Sequence, residues 1–430
     1  LRPITLPPWS FKAALTLGVG LAALGGWSAA SAQDAPAPPA NGPGPATQPP
    51  PPPGTALPAP TQPSTTPAAP PPPNYKLQYN GLVDGYYLFN FRNPKDVSLG
   101  AGEPYYDTRH NSPALSLAEL NVFQNAAPKS FGYKATFMTG DTADINHYGV
   151  GSSLGEARFK NVQQLYGTYS FGADGAGVDF GKFYTPFGYE VTESNGNYNY
   201  SRSTAFGILP FYHAGARIYT PVPGLAGLTA TFYLVNGVYN TPTLGVQNDS
   251  KRPAYLGQLN YTDPKGKFTL ISELGLGKQI LFGPDTKVIL NDNNFTYNLN
   301  ANQLVGLDYE YGKNTPEGGS KTIYNGYAVY YRQALTAKTA VALRFSGVDA
   351  KTDGSGGSDS THARPYDITA TYEIKPVANF LTRIEYRHDH INYDGGNNPA
   401  VPLGFFGGNS LQTRSDQDTI SLSGVFTFAQ

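Results

Sequence analysis

His388 and His390 flank Asp389, and two residues apart on an extended strand puts both imidazoles on one face. A metal would need a third ligand there, and none stands near in sequence, so the pair reads as structural. A richer constellation is Arg383, Glu385, Arg387 and Asp389, a charge at every second position, together with Glu190, Glu193 and Arg202 in one long polar stretch. Alternate charges on a strand share one side. If the other side meets lipid, they must face the interior, because a cation on the lipid face costs roughly 2–4 kcal/mol at mid-bilayer. Acidic groups opposed to arginines across a pore make a transverse field that sorts solutes by size and charge. The same groups could simply pair and hold a loop in place, and the two roles are compatible. Other chemistry has little support. The Gly-Ser-Gly-Gly at 354–357 lacks the Lys-Ser/Thr of a phosphate cradle, and there is no cysteine. The expectation is a protein that is not an enzyme and uses no cofactor or metal.

Strands must position such charges, and from Tyr75 onward the apolar period is two. Leu77, Tyr79, Gly81, Val83, Gly85, Tyr87, Phe89 and Phe91 take odd places, while Lys76, Gln78, Asn80, Asp84, Asn90 and Arg92 take even ones. At the other end Ile420, Leu422, Gly424, Phe426 and Phe428 alternate with Thr419, Ser421, Ser423 and Thr427. Between them the pattern recurs, as in Phe131/Tyr133/Ala135/Phe137 and Tyr366/Ile368/Ala370/Tyr372/Ile374. One apolar and one polar face is the signature of a strand exposed to different media on its two sides. Runs of about ten residues match a tilted strand crossing a bilayer. No stretch carries a sustained helical stripe, which excludes a helical membrane protein.

Connection lengths sharpen this. Short turns fall at 127–130, 172–176, 262–267, 335–338 and 375–379; long polar loops fall at 93–113, 140–160, 185–210, 236–253, 350–364 and 394–416. Short periplasmic turns and long outer loops are the layout of outer-membrane barrels, and lipid enforces closure because an open edge would leave backbone groups unpaired. Counting turns inward from both ends agrees only if 285–300 hides one further strand, with Phe295, Tyr297 and Leu299 as its outer face and a tight turn near 300–302. The count is then about sixteen, an even number as such barrels require. At that width the lumen should be aqueous unless a loop enters it.

The N-terminal 74 residues have a different character. Arg2 and Lys12, an uncharged run over 13–26, and small residues at Ala30 and Ala32 form a secretory signal peptide over residues 1–32, cleaved after Ala32. Residues 33–74 are a Pro/Ala-rich segment with too little to bury to offset ordering, a disordered periplasmic linker that could reach the cell wall. The 430-residue chain balances 30 basic against 31 acidic residues, so nothing marks it for nucleic acid.

The segment Gly181-Lys-Phe-Tyr-Thr-Pro-Phe-Gly-Tyr-Glu190 through Ser201-Arg-Ser203, then Ile208-Leu-Pro-Phe-Tyr-His-Ala-Gly-Ala-Arg217, resembles the OmpL-like β-barrel porins, the porin-2 family. Gly326-Tyr-Ala-Val-Tyr-Tyr331 and Arg383-Ile-Glu-Tyr-Arg-His-Asp389 fit as well, so the resemblance extends over most of 75–430. It implies an outer-membrane barrel acting as a porin and carries no catalytic role. The chain departs from the pattern in ending Phe428-Ala-Gln430 instead of on an aromatic residue.

The expectation is therefore an all-β transmembrane antiparallel up-and-down barrel of about sixteen strands over 75–430, set in outer-membrane lipid and lipopolysaccharide. Small hydrophilic solutes or ions would diffuse through it passively, with residues 185–210 as the constriction and a homotrimer as the candidate assembly. Lys182, Glu190, Glu193, Arg202, Arg217, Arg344, Arg383 and Arg387 are the candidate lumen residues. The competing expectation is an occluded barrel that serves as a structural or surface-interaction protein, its Pro-rich arm directed at the cell wall.

Overall fold

The computed structural model describes residues 75–91, 105–147, 161–239, 252–280, 285–354, 360–394 and 416–429. The signal-peptide and linker segments, 1–32 and 33–74, lie outside the described residues. So do the central parts of the expected loops 93–113, 140–160, 236–253, 350–364 and 394–416.

Period-two alternation becomes strand throughout. The strands are β1 (Gln78–Asn90), β2 (Pro113–Gln124), β3 (Phe131–Thr139), β4 (Val162–Ser170), β5 (Gly177–Tyr184), β6 (Tyr212–Pro221), β7 (Leu228–Val235) and β8 (Ala254–Thr262). They continue as β9 (Phe268–Ile280), β10 (Asp285–Asn300), β11 (Gln303–Pro316), β12 (Thr322–Ala334), β13 (Thr339–Thr352), β14 (Thr361–Val377), β15 (Phe380–Asp394) and β16 (Asp416–Ala429). Each pairs antiparallel with its sequence neighbours, and β1 pairs with β16 from Asn80↔Ala429 to Asn90↔Thr419, closing a sixteen-strand barrel.

The burial pattern is the inverse of a soluble protein's. Leu343, Ile384 and Leu422 are each half exposed on the outer wall, whereas Asp367, Thr369 and Ser346 are fully buried inside. The expected extra strand is β10, paired with β9 and β11 along its length, with its turn at 301–302. The Asn291–Asn294 run lies within it.

Two expectations about connections change. Ala350–Thr352 and Thr361–Arg364 are strand, because β13 and β14 continue their ladder past Ala350↔Ala363 to Thr352↔Thr361. Length also sorts the two ends less strictly than expected, since the outer connections 281–284 and 317–321 are short. Long ladders on both sides replace loop there.

The interior holds more apolar surface than an aqueous lumen would. Phe183, Phe187, Val235, Leu256, Leu290 and Val348 belong to one buried cluster, and Leu82, Leu117, Met138, Leu381 and Val425 to another. The second also takes Ala143 from a short helix, α1 (Asp141–Asn146), which packs inside β2 and β3.

Candidate functional site

Between β5 and β6 the chain leaves the wall for residues 185–211 and crosses to the far side of the ring. Its shape is locally determined. Gly188 takes a left-handed φ of 111°, which spares a Cβ the contact with Leu209. Asn197 clasps Val191, donating to its carbonyl and accepting from its N–H, both at 2.8 Å. Arg202 donates to the carbonyls of Val191 at 2.9 Å, Thr192 at 2.5 Å and Tyr200. Ser203 Oγ accepts from Phe206 N–H at 3.0 Å, next to a 3₁₀ turn, Ala205–Ile208. A loop with so many internal bonds behaves as a compact unit.

Strands on the opposite wall hold that unit by its backbone. The Glu385 carboxylate accepts the N–H groups of Tyr200 (2.6 Å) and Ser201 (2.9 Å), and Asp367 accepts that of Thr204 (2.9 Å). Arg383 donates to the carbonyls of Ser194 (2.8 Å) and Asn197 (2.7 Å). Arg344 and Arg387 reach the carbonyls of Ser201 and Arg202. From β1, Asp84 accepts Ser194 Oγ (2.6 Å) and Tyr200 OH (3.0 Å). From β10, Asp292 accepts Gly188 N–H at 2.6 Å, and Tyr189 stacks on Tyr330 of β12 with centroids 4.5 Å apart. The wall thus satisfies loop donors with carboxylates and loop carbonyls with guanidinium groups.

Of the eight expected residues, the structure gathers five at this contact. Arg344 pairs with Glu190 at 3.0 Å and with Asp367 at 3.0 Å; Arg387 pairs with Asp389 at 2.6 Å; Arg383 pairs with Glu373 at 2.8 Å; and Arg202 braces the loop itself. Glu193 lies apart, accepting from Tyr184 OH at 2.6 Å beside Glu119. Arg217 pairs with Asp179 at 2.7 Å across β5 and β6. Lys182 donates to the Val162 carbonyl at 2.6 Å, meets His147 Nε2 at 2.9 Å, and sits 3.9 Å over the Tyr212 ring.

The central group does not face an open lumen. Glu190, Arg202, Arg344, Arg383 and Arg387 are all buried, because the loop takes the place that water would have had. The carboxylates that complete the network, Asp367 and Glu373, sit on the polar face of β14, where alternation had already placed them. Asp179, Arg332 and Asp292 make further interior contacts, and their place on the polar parity of their strands was the signal the sequence offered. The two histidines also resolve: His388 meets Asp418 at 2.9 Å, and His390 packs against Tyr366.

A second feature faces the loop from β9–β11. Glu273, Asp292 and Glu310 are directly opposed in register, and Asp308 is two residues from Glu310 on the same face. All are buried, and each retains at least one carboxylate oxygen without a hydrogen-bond partner. The interior therefore has an acidic side at β9–β11 and a guanidinium-rich side at β12–β15. On the first outer connection, burial pushes the Asp107 carboxyl up to about 7, against a smaller opposing pull from Arg202.

A family model described as "Putative beta-barrel porin-2, OmpL-like" matches residues 76–428. Solved structures of similar fold include an anion-selective porin from Comamonas acidovorans, 13% identical, TM-score 0.56, over 82% of this chain and 99% of that one. Another is the in-vitro folded OmpT, an outer membrane protein of Vibrio cholerae, 9% identical, TM-score 0.52, over 82% and 97%. A third is the outer membrane channel DcaP of Acinetobacter baumannii, 11% identical, TM-score 0.51, over 82% and 96%. No curated protein matches the chain.

Proposed function

Because this chain belongs to the OmpL-like porin-2 family of outer-membrane β-barrels, we propose that it passes small hydrophilic solutes or ions by passive diffusion through a lumen narrowed by residues 185–211. The observation that carries this reading is the loop drawn across the barrel and bonded to the opposite wall. Passage of this kind needs no bond chemistry. Pore radius and wall charge decide what enters, and no enzymatic step or cofactor is invoked.

In this reading Glu190, Arg202, Arg344, Arg383 and Arg387 act on selectivity mainly by fixing where the loop stands. Lys182, Glu193 and Arg217 act from the β2–β6 side. The acidic stretch of the wall at β9–β11 adjoins the arginine-bearing strands β12–β15, and the two together set the field a passing solute meets. A homotrimer is the proposed assembly, supported by the trimer form of the V. cholerae OmpT structure. The proposed mature chain starts at Gln33, with residues 33–74 as a periplasmic arm.

A second reading has a specific observation behind it. The near-complete burial of the loop and its wall partners, with two apolar clusters beside them, suits a barrel closed at rest that presents its outer loops to a partner. Single-channel recording of the purified barrel, intact and with residues 185–210 deleted, separates the two. Stepwise conductance from the intact barrel that rises several-fold on deletion, with a changed reversal potential, supports the porin. Silence from the intact barrel with opening only after deletion supports the closed scaffold.

A further inference from the structure

The outer wall carries a cluster of lysines that the channel reading does not use. Lys287 on β10, Lys313 on β11 and Lys351 on β13 occupy outward positions at the outer-loop end of their strands, continuous with Ile289, Tyr311 and Asp349 on the same face. Register fixes their spacing. Lys313 shares a rung with Ile323 of β12, which in turn faces Lys351, placing those two lysines about 10 Å apart at the Cα atoms. Lys313 faces Ile289, so Lys287 is its diagonal neighbour, about 7–8 Å away. Lys278 on β9 lies directly opposite Lys287 and is already engaged by Asp285 (3.0 Å) and Glu317 (2.6 Å). Among the described residues, Lys287, Lys313 and Lys351 form no ion pair.

Like charges set side by side on one face repel, and an exposed arrangement of this kind is stabilised when an anion lies over it. The surroundings identify that anion's setting. Below the lysines the same wall carries Asn291, Tyr311 and Asn325, then Asn293 and Tyr309, and below these the apolar Phe295 and Leu307. Lys287 and Asn291 are four residues apart, about 10 Å of depth for a strand tilted near 40°. Cations above, amide and phenol groups one step deeper, and apolar side chains beneath follow the sequence of phosphate, linkage region and acyl chain in a lipid. Lys129, Lys267 and Lys338, in short turns, are at the opposite end of the barrel.

We propose that the outer face of β9–β13 is a binding site for a phosphorylated lipid headgroup of the outer leaflet. Lys287, Lys313 and Lys351 contact its phosphates, and Asn291 and Asn325 contact the linkage region.

The test is retention of lipid by the full chain. Barrels purified in detergent are incubated with vesicles containing diphosphorylated lipid A, then re-isolated, and bound lipid phosphate is measured per protein. Wild type should retain lipid A, Lys287→Gln/Lys313→Gln/Lys351→Gln should lose at least tenfold, and arginine at the same three positions should restore retention. Lys129→Gln/Lys267→Gln/Lys338→Gln carries the same charge change at the other end and should retain lipid normally. Heat-modifiable gel mobility confirms that each variant is a closed barrel. Equal retention by wild type and the first triple variant would overturn the site. So would loss of wild-type retention on adding millimolar inorganic phosphate, since that would mark a site for the free ion and not for a lipid.

Discussion

Replacing Arg344 with alanine removes one cation from two carboxylates, Glu190 and Asp367, that have no water to turn to. Breaking a buried pair from one side costs about 3–5 kcal/mol, and here the carboxylates also hold the N–H groups of Ser203 and Thr204. Denaturant unfolding should show R344A destabilised by that amount, and a loss under about 1 kcal/mol would contradict the pairing. Asp107 tests the opposite electrostatic case. Its carboxyl is raised by burial from 3.8 to about 7 in the folded protein, so the unfolded chain releases its proton first as pH rises. The penalty is absent below the unfolded value and grows as pH climbs through the folded one. Thermal unfolding should therefore occur at lower temperature at pH 8 than at pH 5, and Asp107→Asn should remove most of that difference. A difference that persists undiminished in the variant would assign it to other groups. Sequence alone told which residues were charged and which parity they held. It could not tell that Asp367 and Glu373 would meet arginines, because cross-strand partners depend on register that turn geometry sets.

At the scale of the element, β5 and β6 show what the loop demands of its supports. Gly181 and Gly215 face each other in register at φ 140° and 155°. A Cβ at Gly181 would come within 2.3 Å of the Leu165 carbonyl oxygen. Gly181→Val should cost several kcal/mol through backbone strain and clash, or prevent closure altogether, read as loss of the compact form on unheated gels. Tolerance without a change in heat stability would contradict the close approach. The strands themselves were readable from alternation, β10 included, because turn parity required an even count even though Asn291–Asn294 weakens its apolar face. The extension of β13 and β14 past Ala350 was not readable, since polar residues beyond the bilayer follow no alternation that lipid enforces.

At the scale of the molecule, the barrel is a shell whose two sides obey opposite rules. Leu343 stands half exposed on the outside, next along its strand to the buried Arg344. Leu343→Arg should destabilise the barrel in lipid by about 2–4 kcal/mol if the site lies near mid-bilayer, and by much less in an aqueous reference. Reconstitution yield and urea unfolding in vesicles measure it. The interior was the least legible part. Its width followed from strand number, but its filling by apolar clusters and by the loop depends on contacts between residues far apart in the chain.

Those distant contacts also order events in time. Residues 185–211 emerge before β13, β14 and β15, yet the groups that hold them, Arg344, Asp367, Arg383 and Glu385, lie 140 or more positions downstream, as the 185-residue separation of Tyr200 and Glu385 illustrates. The ring itself closes only when β16 meets β1. The crossing segment carries its own bracing, from Arg202 and Asn197, that does not depend on the wall that encloses it. Once β16 docks, the segment is enclosed without a knot or a covalent link, so the last strand is also the latch on a segment made long before it.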